Sequence, residues 1–376
     1  MLPSNDSVND SANDPNISVN DSNDSNVLVN ASGNASAPGE AFPVPPPDAE
    51  LYAAIDVGTN SVKIVVADLA QGRAVRYFDR TILTRIGEGM QAMGNRLRET
   101  AMLRTLDALA VLVNAARERG VRATAAVGTA ALRDAENREE FLQRVRDRCG
   151  LEIQVIPGEE EARLSFLAAR RDPQWRDRTH LRVIDIGGGS TEIIEGVPHS
   201  PDIASRISVN YGAVKLTETF LKSDPPTIAQ LEQANNAVRT AFERVQVTGR
   251  ADDDSAADPN EQEFVLVGVG GTVTNLGAVD QGGKNGKNGK NGKNGTIPLH
   301  GHILTAERLG ELIDRLAVRS VAQRQVIPGL DPRRADIILG GAILLAQALA
   351  RVEAPAVAVS TRGLRWGLLY DRFTPT

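Results

Sequence analysis

Leu181-Arg182-Val183-Ile184-Asp185-Ile186-Gly187-Gly188-Gly189-Ser190-Thr191-Glu192-Ile193-Ile194 is an apolar run ending in an aspartate, a turn of small residues, and a second apolar run. Apolar, β-branched segments on either side of a glycine turn predict a two-stranded hairpin. The same pattern stands earlier as Ala53-Ala54-Ile55-Asp56-Val57-Gly58-Thr59-Asn60-Ser61-Val62-Lys63-Ile64-Val65. A repeat on this scale predicts two related domains facing one another, with a ligand cleft between them. A third glycine turn, Gly268-Val269-Gly270-Gly271-Thr272-Val273-Thr274, follows an expected strand at Phe264–Val267.

Outward from the hairpins, strands alternate with helices. Met102, Leu106, Leu109, Val113 and Ala116 fall at helical spacing, and Gly120 stops that helix. Val121–Val127 and Glu152–Ile156 read as strands, Asn137–Cys149 as a helix closed by Gly150, and Glu159 to about Arg171 as a helix started after Pro157-Gly158. The fold class is α/β, with an N-terminal domain over 51–178 and a C-terminal domain over 179–376.

The chain has 376 residues, with 42 Lys plus Arg against 48 Asp plus Glu. Apolar residues at 41% and charged residues at 24% exclude a collagen, a coiled coil and wholesale disorder. Residues 1–50 contain eight acids and no Lys or Arg, so the acidity belongs to this segment and the remainder is near neutral. A near-neutral body argues against nucleic acid as a partner. The Asn-Asp-Ser-rich segment 1–50 is expected to be disordered. It lacks the basic and apolar regions of a secretory signal, so a cytoplasmic location is expected. The Lys-Asn-Gly repeats of 282–295 and the acidic stretch 248–263 are expected to be surface loops. There is no apolar run long enough for a membrane span. The single cysteine, Cys149, excludes an intramolecular disulfide and a zinc site built on paired cysteines. His300 and His302 alternate and would share a strand face, but loop or surface positions suit them better than a metal site.

Turns of Gly, Ser and Thr expose successive backbone N–H groups that can surround phosphate oxygens. Two of the three turns have an aspartate at the strand end, Asp56 and Asp185. Paired carboxylates beside phosphate loops suit a hydrated Mg2+, which prefers oxygen ligands and substrate phosphates.

The two Asp-centred turns resemble the phosphate motifs of the actin and sugar-kinase superfamily. Four further blocks resemble the exopolyphosphatase and guanosine pentaphosphate phosphohydrolase family: Thr129–Asn137, Gly158–Arg163, Tyr211–Glu218 and Ser360–Gly367. The resemblance implies two actin-like (ribonuclease H-like) domains facing across a cleft, in the family's short two-domain form. It implies Mg2+-dependent hydrolysis of a terminal phosphoanhydride, on inorganic polyphosphate or on guanosine pentaphosphate, and a homodimer. Glu161 takes the position of the family's base. Glu192 takes a metal or water role beside Asp56 and Asp185. Thr59, Asn60, Ser61, Gly187, Gly188, Gly189, Ser190, Gly270, Gly271 and Thr272 line phosphate oxygens, and Lys63, Arg133, Arg362 and Arg365 neutralise them. Lys215 is a further candidate for the polyphosphate chain. Two residues depart from the family pattern: Thr361 in the final block, and Lys63 where some members carry arginine. Glu161 falls in a first helical turn, where the helix dipole favours a carboxylate, so it is expected to be ionised at neutral pH.

Other readings stay open. Leu339-Gly340-Gly341-Ala342 is similar to the adenosine-side motif of kinases in the superfamily. A non-catalytic sensor of polyphosphate or alarmone would need the same turns.

Overall fold

β-branched and apolar residues dominate the first hairpin, and the chain folds there as β1 (Leu51–Val57) and β2 (Ser61–Asp68), joined by a three-residue turn. The structure, a computed structural model, describes residues 42–69, 74–178, 180–197, 200, 203–245, 265–283 and 298–374. The expectations for 1–41, for the acidic stretch 248–263, for Phe264 and for most of the Lys-Asn-Gly repeats lie outside them.

The first sheet runs β3-β2-β1-β4-β5, where β3 is Val75–Leu83, β4 is Ala123–Gly128 and β5 is Gln154–Val155. β1, β2 and β3 are antiparallel; β4 lies parallel to β1, and β5 parallel to β4. Its helices are α1 (Glu99–Glu118), α2 (Ala130–Asp134) and α3 (Arg138–Cys149), the last closed by Gly150 in the left-handed region. α4 (Gly158–Arg170) follows.

The second half repeats this order. β6 (Leu181–Ile186), β7 (Thr191–Gly196) and β8 (Ile203–Val209) are antiparallel. β9 (Val265–Val269) is parallel to β6. α5 (Ala213–Phe220) and α6 (Ile228–Arg244) lie between β8 and β9 in the chain, and α7 (Gly270–Asp280) follows β9. Beyond β10 (Ile303–Thr305) come α8 (Ala306–Ala317), α9 (Val321–Gln325) and α10 (Ile338–Arg351). β11 (Ala356–Val359) pairs parallel with β9 and antiparallel with β10, and α11 (Leu364–Phe373) closes the described chain. The second sheet therefore reads β10-β11-β9-β6-β7-β8. An antiparallel trio extended by parallel strands is thus built twice, in an α/β chain of two mixed sheets with helices.

Each sheet buries one face on its own helices. α4 is shared. Leu164, Leu167 and Ala168 pack with Ala54, Val65 and Val127 of the first sheet. Ala162, Phe166 and Ala169 pack with Val183, Ile194 and Val267 of the second. α11 returns from the second half to cover the first, placing Trp366, Leu368 and Leu369 in that same cluster. It crosses α4 so closely that a β-carbon at Gly367 would land on the carbonyl of Leu164. Gly340 and Gly341 lie inside α10, where they let it close on Thr217 of α5 and Thr272 of α7. Among the described residues no helix is long and apolar enough to cross a membrane.

Candidate active site

The hairpin register sets the first pairs of groups. Asp56 and Lys63 are cross-strand partners on β1 and β2, and Asp185 and Glu192 are cross-strand partners on β6 and β7. Directly opposed residues project from the same sheet face. Lys63 Nζ lies 2.9 Å from Asp56 Oδ2. Asp185 instead accepts a 2.7 Å bond from Ser165 Oγ, and Glu192 a 3.4 Å bond from Ser208 Oγ.

Glu161 enters from α4. Pro157 supplies an extended residue before the helix, and the Pro157 carbonyl accepts the Glu160 and Glu161 N–H groups. The Glu161 side chain is buried and takes a 3.1 Å bond from the guanidinium of Arg133 on α2, which also donates to Ile156 O. Ser165 stands one turn further along α4, so a single helix supplies both Glu161 and the hydroxyl that holds Asp185.

The electrostatics differ from the expectation of an ionised Glu161. Burial pushes its carboxyl up to about 7; the Asp185 and Asp56 charges add to this, and Arg133 opposes it only in part. The helix end is outweighed because the group has left water and faces other carboxylates. Asp185 is raised by burial and by Asp56 against Ser165 and Lys63. Glu192 is raised well above its ordinary value by burial, Glu161 and Asp185. Four carboxylates thus gather with two cations, Lys63 and Arg133. A set of acceptor oxygens with surplus negative charge fits a hard divalent cation. No three of these groups, among the described residues, converge closely enough to hold a metal ion alone.

The first two turns meet. Gly58 N–H bonds Ser61 O and Gly187 N–H bonds Ser190 O, each at 3.0 Å, so both are closed in the same way. Thr59 of the first leans on Gly188 and Gly189 of the second, and a β-carbon at Gly188 would lie 2.9 Å from Thr59 Cβ. Only glycine permits this approach. The second turn is pinned from behind by the start of α5: the Ala213 N–H bonds Gly187 O, and the Val214 and Lys215 N–H groups bond Gly188 O. Ser61 and Ser190 are buried at the strand starts; Asn60 is buried with neither amide atom bonded.

The third glycine segment is not a hairpin. β9 continues through Gly268 and Val269, and Gly270, Gly271 and Thr272 form the first turn of α7, with Gly270 at φ +93° beside Asp185. Arg334 packs against this helix start, and a β-carbon at Gly271 would land on its guanidinium. The side chain is buried, and burial lowers its pKa to about 10. It has no hydrogen-bond or ion-pair partner among the described residues. A buried unpaired guanidinium at a helix N-terminus is arranged to receive an anion. The sequence held no local sign of it, because Arg334 and Gly271 meet only through the packing of α10 on α7.

Arg362 and Arg365 have other partners. Arg365 pairs with Asp79 of β3 at 2.8 Å, fastening α11 to the first sheet. Arg362 lies over the Trp366 ring and 3.4 Å from buried Asp172. His300 also contacts Asp172, and His302 pairs with Asp280, so the two histidines go to separate carboxylates.

The chain is 33% identical over 302 residues to exopolyphosphatase 2 of Mycobacterium tuberculosis, covering 78% of this chain and 88% of that one. It is 30% identical to exopolyphosphatase 1 of Mycobacterium bovis, covering 84% and 86%. The crystal structure of the Aquifex aeolicus Ppx/GppA family member superposes with a TM-score of 0.65 at 29% identity, over 86% of this chain and 97% of that one. The model of the Ppx/GppA phosphatase family matches residues 65–374, and with Glu161, Asp185, Glu192 and the second and third glycine segments inside that match, the chain belongs to the Ppx/GppA phosphatase family and is a hydrolase.

Proposed function

We propose that the protein is a Mg2+-dependent exopolyphosphatase that hydrolyses the terminal phosphoanhydride of inorganic polyphosphate. The observation that carries this reading is Glu161, a buried carboxyl between the aspartates of both halves, with a proton affinity near neutrality. A group titrating close to the working pH is suited to accept a proton from water and release it again. Arg133, bonded to that carboxylate, fixes its direction and offers positive charge to the group being transferred.

Mg2+ would be held by Asp185 and Glu192, with Asp56 across from them, and completed by substrate oxygens, since this ion is typically bound by one or two carboxylates plus phosphates. When bound it supplies neutralisation of phosphate charge. Backbone N–H groups of the turns at Thr59–Ser61 and Gly187–Ser190 face phosphoryl oxygens in this reading. Gly270, Gly271 and Thr272, with Arg334, take a phosphate further along the chain. At the departing position, the Thr361 N–H bonds His300 Nδ1.

The test is phosphate release from long polyphosphate and, separately, from guanosine pentaphosphate, each with Mg2+ and with EDTA. Release from polyphosphate with Mg2+ alone supports the reading. Release only from the nucleotide moves the function to an alarmone phosphohydrolase. Binding of both without release leaves a sensor.

A further inference from the structure

We infer that Arg85 is a positioning residue whose ion pair with Asp336 clasps the two halves at the site and sets how often the turns stand in the closed arrangement. Arg85 lies just after β3, in the first half; Asp336 lies just before α10, in the second. Their side chains meet fork to fork, Nη1 to Oδ2 at 2.6 Å and Nη2 to Oδ1 at 3.1 Å, and Nη2 also donates to Arg333 O at 2.6 Å.

The clasp is wired to the first turn and to the start of α7. On its own side, the Thr84 and Arg85 N–H groups bond Asn60 O and the Gly87 N–H bonds Thr59 O, each at 3.1 Å. On the far side, Asp336 follows Arg334 by two residues, and buried Arg324 holds the intervening Ala335 carbonyl. A second strut from the same loop, Gly89 N–H to Glu218 Oε1 at 3.3 Å, crosses in parallel. Arg85 has φ +51°, a left-handed conformation that a non-glycine residue keeps only where its surroundings over-determine it. Both partners are about one-third exposed, at 32% and 33%, so water can take over their bonds and the pair can open. The halves are also joined through apolar packing on α4 and α11 and by the Arg365–Asp79 pair, none of which depends on this pair.

The inference rests on the proposed activity for its kinetic readout only. When a competent form is populated in part, apparent affinity falls by that fraction while the saturated rate survives. Arg85→Glu and Asp336→Arg, each alone, are therefore expected to raise KM for polyphosphate about tenfold with kcat within about twofold of wild type. The double variant, which reverses the charges, is expected to recover most of the loss. Unchanged KM in the single variants, a fall in kcat alone, or no recovery in the double variant would overturn the clasp.

A second readout needs no activity. Nitroxide labels on Leu103→Cys and Val318→Cys, exposed positions in the two halves, report their separation by pulsed electron resonance in the full chain. The single variants are expected to add longer distances that the double variant removes. An unchanged distribution in the single variants would overturn the inference even if wild type releases no phosphate from polyphosphate.

Discussion

Lys63 and Glu192 occupy the same place in the two halves of the molecule, each directly opposite the penultimate residue, an aspartate, of the neighbouring strand. In the first half the opposed residue is a cation that pairs with Asp56 at 2.9 Å. In the second it is another carboxyl, Glu192, whose proton affinity is raised by burial and by the Glu161 and Asp185 charges. The duplicated hairpin thus presents one aspartate paired with a cation and one paired with a second carboxyl, and the proposed Mg2+ would be held at the second.

Removing the carboxyl acid–base function should be decisive for turnover. Glu161→Gln is expected to lower kcat by roughly 10²- to 10⁴-fold with little change in KM, measured as phosphate release at saturating polyphosphate.

The same substitution should behave differently in stability. A carboxyl raised in the folded state is protonated there while the unfolded chain has already ionised. Metal-free wild type therefore loses stability as pH rises from about 4.5 to about 7, by at most about 3 kcal/mol. Gln does not titrate. In EDTA, the advantage of Glu161→Gln over wild type should be absent at pH 4, grow up to pH 7 and then level off. Thermal melts at these pH values check this, and a constant difference would refute it.

Arg334 should show the reverse of a structural arginine. Its buried guanidinium has no hydrogen-bond or ion-pair partner among the described residues, so Arg334→Met is expected to leave the fold as stable as wild type or more so, by about 1 kcal/mol. KM for polyphosphate should rise about tenfold or more through loss of a charge-assisted contact. A melt and a Michaelis curve together test both halves of the statement.

Asp172 gives a pH signature away from the site. Burial works to raise its carboxyl, but His300, the Gln174 N–H and Arg362 outweigh it and hold the group below its ordinary value. Its stabilisation is present above the unfolded value of about 3.9 and lost as pH falls through the folded one. Asp172→Asn should therefore cost about 1–3 kcal/mol at pH 7, with the gap to wild type closing below pH 4 in denaturant titrations.

Gly367 ties stability to geometry at Glu161. A valine there would collide with the Leu164 backbone and cost at least about 1–3 kcal/mol. Because Leu164 follows Glu161 by three residues on α4, kcat should fall as well; intact kcat in a destabilised variant would count against the coupling.

How much of this was legible in the sequence follows from how far apart the interacting residues lie. The hairpins were readable because Asp56 and Asp185 each sit seven residues from their cross-strand partners, within one local pattern. The start of α4 was readable from Pro157-Gly158. The ionisation of Glu161 was not, because its helix position is local while its neighbours Asp185 and Asp56 come from two different sheets. The third glycine segment passed for a turn because a strand running into a helix and a strand running into a hairpin share the same glycines. Arg362 and Arg365 sit in a family block, and proximity in sequence gave no sign that Asp172 and Asp79 claim them. Arg85, Asp336 and Arg334 belong to no shared local pattern; only the folded chain brings them together.

The return of α11 to the first sheet bears on how the protein is made. Trp366, Leu368 and Leu369 complete a core whose other members, Ala54, Val65 and Val127, leave the ribosome roughly 240 to 310 residues earlier. During synthesis, the face of the first sheet that α11 later covers stays exposed until the second half has followed. Contacts of such long sequence separation form slowly, and the nascent first half is accordingly the stage at which this chain is most open to aggregation or to capture by a chaperone.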